Sequence, residues 1–329
     1  MKKIINNPDQ VVEEMLQGIV CAHPTVKRLP GFNVLVRAET SPKVGLVSGG
    51  GSGHEPAHGG FVGKGMLDGA VAGSVFSSPT PDQVYEAIKA VDQKKGVLLI
   101  IKNYTGDVLN FEMAGEMAEA DGIQVEKVIV NDDVAVENST WTTGRRGIAG
   151  TIFVHKIAGA KAEAGAELSD VKRIAEKVIG NVRSMGMALA PCTVPAVGKA
   201  SFSLEENEVE IGIGIHGEPG THREELKTAD EIVSHLMDKI LGDLNSVKED
   251  EVAVLINGLG ATPSMELYII NRKVSEILAS KEIRVAKTYV NNYMTSLDMA
   301  GFSISILKLD DELKELLLAP ADTPALVQN

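Results

Sequence analysis

The sequence has few cysteines and few aromatic residues, and these absences exclude several classes of protein. Its 329 residues include two cysteines, Cys21 and Cys192, which stand far apart and outside any Cys-x-x-Cys motif. Neither a disulfide framework nor a zinc site follows from that spacing, so we expect two buried free thiols and no metal. Aromatic residues make up 4% of the chain, but 44% of its residues are hydrophobic, which is enough for sizeable cores.

Long apolar runs are also absent. No run reaches the roughly 18 residues that identify a membrane-spanning helix. The polar residues 6–10 lie where a signal peptide would carry its apolar region, although Lys2 and Lys3 precede them. We therefore expect a cytoplasmic protein without a membrane partner.

Positive charge is scarce, and the motifs that hold nucleotides are incomplete. The formal net charge is −13, without a cluster of lysine and arginine among aromatic residues, which argues against nucleic acid as a partner. A phosphate-binding loop needs Ser or Thr after Gly-Lys, but Gly65 follows Lys64. Residues 212–217 match Gly-x-Gly-x-x-Gly, but Glu218 and Pro219 follow where the dinucleotide fold needs a helix. We expect no cofactor on this chain.

Two glycine-framed histidines are the most informative features that are present. His54 lies in Ser-Gly-Gly-Gly-Ser-Gly-His-Glu-Pro at residues 48–56, and His216 lies in Gly-Ile-Gly-Ile-His-Gly-Glu-Pro-Gly at residues 212–220. Glycines let backbone N–H groups approach a ligand, and an imidazole can act there as base, hydrogen-bond partner or nucleophile. Either segment alone is more often an ordinary tight turn, but two that both carry His and Glu-Pro favour one shared site.

Apolar periodicity predicts an α/β protein with two domains. The apolar run at residues 97–101 and the segment at residues 125–130 are candidate strands, and a capping box at residues 80–83 opens a helix predicted to about residue 90. A helix predicted over residues 168–184 is followed by a second set of strands and helices. We therefore expect two α/β domains, each a β-sheet covered by helices, over residues 1–184 and 185–329.

Lys102 and Asp107 directly follow the strand predicted over residues 97–101. Open α/β sheets bind ligands at the carboxyl ends of their strands, so an ammonium and a carboxylate there suit a binding site. Taken alone, a solvated loop is the better interpretation of this segment. His58 and His155 lie among apolar or small residues, which favours packing or surface roles over catalysis.

Further motifs follow one another in order along the chain. Besides the histidine segments at 48–56 and 214–220, they are Lys-Asn-Tyr-Thr-Gly-Asp at 102–107, Thr-Gly-Arg-Arg-Gly at 143–147, Pro-Cys-Thr-Val-Pro at 191–195, Gly-Leu-Gly-Ala-Thr-Pro at 258–263 and Met-Thr-Ser-Leu-Asp at 294–298. Together they closely resemble the substrate-binding K domain of the dihydroxyacetone kinase family. The resemblance extends over residues 1–325 and implies that family's fold of two α/β domains.

The resemblance implies a role for each matching residue. His216 stands where the family's covalent histidine stands, so its ring nitrogen is expected to add to the ketone of dihydroxyacetone and form a hemiaminal. His54 and Asp107 match the residues that orient and deprotonate the terminal hydroxyl. Substrate contacts are expected from Gly51, Ser52, Gly53, His54, Lys102 and Asp107.

The resemblance also implies partners. Single-chain members carry an ATP-binding L domain, whereas this chain is expected to be the separate K subunit of the bacterial phosphoenolpyruvate-dependent type. ADP or ATP with Mg then resides on an L subunit, which a phosphotransferase-system protein recharges. A homodimer is implied as well. The alternatives are a dihydroxyacetone-sensing coactivator without kinase turnover and, less favoured, a nucleotide-dependent oxidoreductase.

Overall fold

The computed structural model describes residues 2–139 and 142–329, which form two six-stranded sheets and eight α-helices. The predicted class, α/β with two sheets covered by helices, is therefore confirmed. The strands of the first sheet are β1 (Val26–Arg28), β2 (Val34–Arg37), β3 (Gly45–Ser52), β4 (Gly69–Val75), β5 (Val97–Lys102) and β6 (Val125–Val130).

The first sheet brings the glycine segment beside Lys102. Its strands lie in the order β1-β2-β4-β3-β5-β6, and the four from β4 to β6 run parallel. Every residue of β3 and β5 is buried, which explains their continuous small or apolar sequences. Because parallel neighbours end at the same edge, the carboxyl ends of β3 and β5 are adjacent.

The second sheet is mostly antiparallel. Its strands lie in the order β11-β10-β12-β7-β8-β9, and β10 pairs with β11 in parallel whereas the other neighbours pair antiparallel. The connection from β8 to β9 carries His216. The strands are β7 (Val182–Ala190), β8 (Glu208–Ile211), β9 (His222–Glu225), β10 (Glu251–Gly258), β11 (Arg284–Asn291) and β12 (Ala300–Leu309).

Helices cover the outer faces of both sheets and fill the space between them. α2 (Pro81–Val91) and α3 (Thr105–Ala120) pack on the first sheet, and α6 (Ala229–Leu244) and α7 (Ser264–Ser280) pack on the second. One core joins inward-facing residues of both sheets. Its central helix, α4, has 11 buried residues of 13. The helices of this core are α1 (Val11–Ala22), α4 (Thr151–Glu163), α5 (Leu168–Asn181) and α8 (Asp311–Leu318).

The chain after α8 returns to the first half of the molecule. Its short strands β13 (Ala321–Asp322) and β14 (Val327–Gln328) pair with each other. The backbone nitrogen of Asp322 donates to the carbonyl of Lys64 at 2.9 Å, and that of Ala325 donates to the carbonyl of Gly60 at 2.9 Å. The C-terminal residues therefore stabilise the segment that follows the first histidine motif.

Two sequence expectations change. The helix predicted over residues 168–184 ends at Asn181, because the next residues pair with β12 as strand β7. Residue 184 thus lies within a strand of the second sheet, and the division into 1–184 and 185–329 stays a prediction. Cys21 is exposed on α1, so the expectation of two buried thiols is wrong for it, whereas Cys192 is buried.

Gly159 tests the close packing of α4. A Cβ there would lie 2.5 Å from the Cα of Met66 and 2.6 Å from the carbonyl oxygen of Gly65, which are backbone atoms that cannot move away easily. We expect Gly159→Ala to lower the free energy of unfolding by about 1–3 kcal/mol. The control is Gly18→Ala in α1, where a Cβ meets nothing within 4 Å. This substitution should raise the free energy of unfolding by roughly 0.5–1 kcal/mol. Urea unfolding measures the stability of both variants. Equal free energies of unfolding for the two variants would contradict the close contact between Gly159 and the backbone of residues 65 and 66.

Candidate active site

The end of β3 approaches its neighbours so closely that two of its glycines have no space for a side chain. A Cβ on Gly50 would lie 2.7 Å from the Nζ of Lys102, and one on Gly51 would lie 2.6 Å from the backbone nitrogen of Ser77. Glycine is therefore required at both positions. Backbone atoms, and not side chains, face this part of the site.

Lys102 and Asp107 form a buried ion pair beside these glycines. Lys102 ends β5 and Asp107 lies in the first turn of α3, and their side chains are 0% and 4% exposed. The Nζ donates to Oδ2 at 3.3 Å, and Ser78 Oγ donates to Oδ1. The helix N-terminus also favours the carboxylate. The interpretation as a solvated loop is wrong, because the crossover from β5 into α3 buries both charges.

His54 and His216 meet, although 162 positions separate them in the sequence. Their Nε2 atoms are 3.0 Å apart, and the rings meet edge to face with 4.7 Å between centroids. Backbone hydrogen bonds hold the first of these segments in place: Leu297 N donates to the carbonyl of Gly53 at 2.7 Å, and Thr295 N donates to that of His54 at 3.1 Å. The two glycine-framed segments therefore contribute to one site.

Glu218 holds His216 with both carboxylate oxygens. Oε1 accepts from the ring Nδ1 at 2.9 Å, and Oε2 accepts from the His216 backbone N–H at 2.8 Å. Burial acts to raise the pKa of Glu218, but the nearby His216 and Arg146 outweigh it and hold this pKa at about 2. The carboxylate is therefore charged at neutral pH.

Arg146 is a second fully buried cation near the site. Its Nε donates to Oδ2 of Asp133 at 2.8 Å, and its Nη2 donates to the carbonyl of Gly212 at 2.7 Å. No individual role for Arg146 or Glu218 follows from their positions in the sequence. Both stand inside motifs that the sequence shows, but only the fold brings residues 133, 146 and 212 together.

The partners of the two rings define where their protons lie. Nδ1 of His54 is 2.8 Å from the carbonyl oxygen of Thr295, so it donates, and Nδ1 of His216 donates to a carboxylate. If both rings were neutral, two lone pairs would face each other at 3.0 Å, so one proton lies between the Nε2 atoms. Burial first, then His216 and Lys102, lowers the pKa of His54 well below its usual range.

A cavity of about 470 Å³ opens beside these groups. Its lining includes Gly51, Asp107 and His216, together with the rings of Phe76 and Tyr104. His216 packs edge-on against Tyr104 at 4.6 Å and against Phe76 at 5.3 Å between ring centroids. A small molecule in this cavity therefore meets an imidazole, a carboxylate and a glycine backbone between aromatic walls.

The remaining predicted substrate contacts lie around this cavity and do not form its lining. His54 and Lys102 are fully buried behind it. Ser52 and Gly53 border a neighbouring cavity of about 480 Å³, together with residues of α1 and of the N-terminal segment. Their roles as substrate contacts stay predictions.

His58 and His155 form a second, separate histidine pair. Nδ1 of His58 lies 3.0 Å from Nε2 of His155, and both rings are buried. Burial lowers the pKa of both, that of His155 to about 3. Neither ring borders the cavity of about 470 Å³, in agreement with the packing role that the sequence favours.

Within residues 2–139 and 142–329 there is neither a membrane-spanning helix nor a metal-binding cluster. No helix in these ranges is long and apolar enough to cross a membrane. The same part of the chain places no group of three or more His, Cys, Asp or Glu side chains where they could hold a metal ion.

Comparison with known proteins identifies relatives over nearly the whole chain. Residues 17–325 match the model of the Dak1 domain. The Listeria innocua protein named PTS-dependent dihydroxyacetone kinase 1, dihydroxyacetone-binding subunit DhaK, is 56% identical, and the alignment covers 99% of this chain and 100% of that protein.

Solved structures share the fold. The native dihydroxyacetone kinase of C. freundii superimposes with a TM-score of 0.92 at 38% identity, over 99% of this chain and 60% of that chain. The dihydroxyacetone kinase operon co-activator Dha-DhaQ superimposes with a TM-score of 0.91 at 37% identity, over 96% of this chain and 98% of that chain. The chain therefore belongs to the Dak1 domain family, together with the dihydroxyacetone kinase subunits that it matches.

Proposed function

We propose that this chain is the dihydroxyacetone-binding K subunit of a dihydroxyacetone kinase of the phosphoenolpyruvate-dependent type. One observation carries the proposal: the imidazole of His216, held by Glu218, lines the same cavity as the carboxylate of Asp107. A nucleophile and a general base in one cavity suit a ketone that also carries hydroxyl groups. The 56% identity to a protein named as a dihydroxyacetone-binding subunit supports this choice of substrate.

His216 holds the ketone as a covalent hemiaminal in this proposal. The Nε2 adds to the carbonyl carbon, and the π electrons of the C=O bond move to its oxygen. Because the substrate carbon must reach Nε2, the 3.0 Å contact with His54 opens when substrate enters. Glycerol has similar hydroxyls but no electrophilic carbon, so the covalent step rejects it where hydrogen bonds alone discriminate only modestly.

Asp107 and His54 act on the terminal hydroxyl. Asp107 borders the cavity and accepts the hydroxyl proton as the oxygen attacks phosphorus, and His54 orients the bound substrate. Lys102 and the backbone of residues 51–53 complete the substrate contacts. The phosphoryl group comes from ATP with Mg on an L subunit, and the ADP left there is recharged by a phosphotransferase-system protein. The product is dihydroxyacetone phosphate.

An apolar stripe on α3 is our candidate surface for the L subunit. Leu109, Met113 and Met117 recur every four residues on one helical face and are 55%, 53% and 41% exposed. The stripe continues from Thr105 and Gly106, which are exposed and border the cavity. Adjoining large apolar side chains in such a position suit a protein partner that delivers phosphate to the cavity. From the resemblance alone we also propose a homodimer.

A second candidate function is sensing of dihydroxyacetone without turnover. The co-activator Dha-DhaQ has the same fold at 37% identity. The carboxylate of Asp107, at the cavity and paired with Lys102, favours the enzyme, because a protein that only binds the ketone needs no general base.

The purified chain should form no dihydroxyacetone phosphate from dihydroxyacetone and Mg-ATP, because it has no phosphate-binding loop to hold and neutralise a donor. Addition of the L subunit and the phosphotransferase components should start turnover, measured as product formed. Turnover by the chain alone would contradict the proposal that a separate L subunit holds the phosphate donor. Binding of dihydroxyacetone without turnover in the complete system would favour the sensor.

Asp107→Asn and His216→Ala should separate the two chemical roles. We expect Asp107→Asn to lower turnover in the reconstituted system by about 10²- to 10⁴-fold, because the base is lost, while the hemiaminal still forms. His216→Ala should abolish the hemiaminal. NMR of dihydroxyacetone labelled with ¹³C at the carbonyl detects the adduct, and the ¹⁵N spectrum of each variant shows whether it is folded. Loss of the adduct in both variants would contradict separate roles.

Met113→Glu should weaken the productive complex with the L subunit. A charge in the centre of an apolar contact should raise the L-subunit concentration at half-maximal turnover about tenfold, which corresponds to ~1.4 kcal/mol. Dihydroxyacetone binding should stay unchanged. The control is Met265→Glu on α7, an exposed methionine outside the stripe. If the two substitutions raised the required L-subunit concentration equally, the proposal that α3 is the docking surface would be wrong.

A further inference from the structure

Glu218 is buried beneath His216 and does not border the cavity. The connection from β8 to β9 is built around its carboxylate: a Cβ on Gly214 would lie 2.1 Å from Oε2, so this position admits only glycine. Both oxygens bond to His216, one to the ring and one to the backbone. The carboxylate therefore fixes the position and the orientation of the imidazole.

The other charged groups around Glu218 already have partners. Arg146 pairs with Asp133. Burial raises the pKa of Asp133 to about 6, although the guanidinium of Arg146 acts in the opposite direction. Both groups are therefore charged at neutral pH. Lys102 pairs with Asp107.

The remaining neighbours of Glu218 are neutral. Burial first, then Glu218, raises the pKa of Tyr104 well above its usual value, which keeps the phenol protonated. His54 is neutral because burial lowers its pKa. Arg146 also helps to hold the pKa of Glu218 low, but the ring of His216 is the group whose side chain bonds directly to this carboxylate.

We propose that Glu218 is a positioning residue that keeps a proton on Nδ1 of His216 and balances the positive charge of the ring while Nε2 is bonded to the substrate carbon. This inference rests on the proposed function, since it concerns how His216 binds a ketone. It assigns to Glu218 a role in covalent capture that is separate from phosphoryl transfer at Asp107.

The charges and protons balance without solvent. In this proposal the proton between the two Nε2 atoms belongs to His216 before addition, and the carboxylate of Glu218 carries the opposing charge. As the Nε2–H bond breaks, its electron pair forms the bond from Nε2 to the substrate carbon. The π electrons of the C=O bond move to the carbonyl oxygen, which takes the proton that Nε2 releases. The ring stays a cation, now through its N–C bond, and Nδ1–H still donates to Glu218. No net proton is taken up or released.

Glu218→Gln tests this assignment, because glutamine keeps the shape and an acceptor oxygen but removes the charge. We expect the dissociation constant of the ¹³C-dihydroxyacetone adduct to rise roughly 10²- to 10³-fold. Without the carboxylate the ring should not keep its positive charge, so at pH 8 we expect Nδ1 of His216 to be unprotonated in the adduct of the variant and protonated in the adduct of the wild type. The ¹⁵N spectrum of the adduct distinguishes these two states.

Glu210→Gln is the matched control. Glu210 is also buried and also holds this connection, since its Oε1 accepts from the backbone nitrogen of Gly220 at 2.8 Å, but it does not contact His216. The Glu210→Gln variant should keep the wild-type adduct affinity and a protonated Nδ1 on His216. Equal losses in the two variants would assign the effect to loop stability and overturn the proposal, as would wild-type behaviour of Glu218→Gln.

The wild-type protein provides a measurement that does not depend on the folding of a variant. Its ¹⁵N spectrum should show His216 protonated on Nδ1 both before and after dihydroxyacetone is added, and an unprotonated Nδ1 in the adduct would overturn the proposal. Absence of any adduct in the wild type, by contrast, would contradict the proposed function itself.

Discussion

The contact between the first histidine segment and residues 295–297 is the constraint on which the site depends. Leu297 N and Thr295 N donate to the carbonyls of Gly53 and His54 at 2.7 Å and 3.1 Å, and Thr295 Oγ1 donates to the carbonyl of Glu55 at 2.9 Å. These groups follow strands of the two different sheets, so their bonds hold the sheets relative to each other. The carbonyl of Thr295 also orients the His54 ring, which then meets the second histidine.

The site concentrates paired charges in a region largely closed to water. An isolated charge there would be unfavourable by several kcal/mol, and each charge of the site therefore faces an opposite one. Fixed charges on buried side chains act strongly on a reacting group beside them, since they need no rearrangement during the reaction. The pairs are Lys102 with Asp107, Arg146 with Asp133 and His216 with Glu218.

Much of the fold was predictable because buried parallel strands have continuous apolar sequences, as at residues 97–101. The sequence did not reveal α3, and the reason is physical: its exposed Leu109, Met113 and Met117 remove the polar face by which an amphipathic helix is identified. In the site, the glycine frames located His54 and His216, and the resemblance supplied a role for Asp107. Glu218 was missed, since a carboxylate two residues from a histidine has no distinctive spacing.

By itself, the sequence determined which chemical groups the site contains and the local backbone that presents them. Residue type and glycine spacing are local properties, so two glycine-framed imidazoles and a lysine with a carboxylate at a strand end could be identified from the sequence. Only the tertiary structure decided which nitrogen of each ring carries a proton. That choice depends on acceptors such as the Thr295 carbonyl, 241 positions from His54, and a hydrogen bond over 2.8 Å exists only once both sheets are in place.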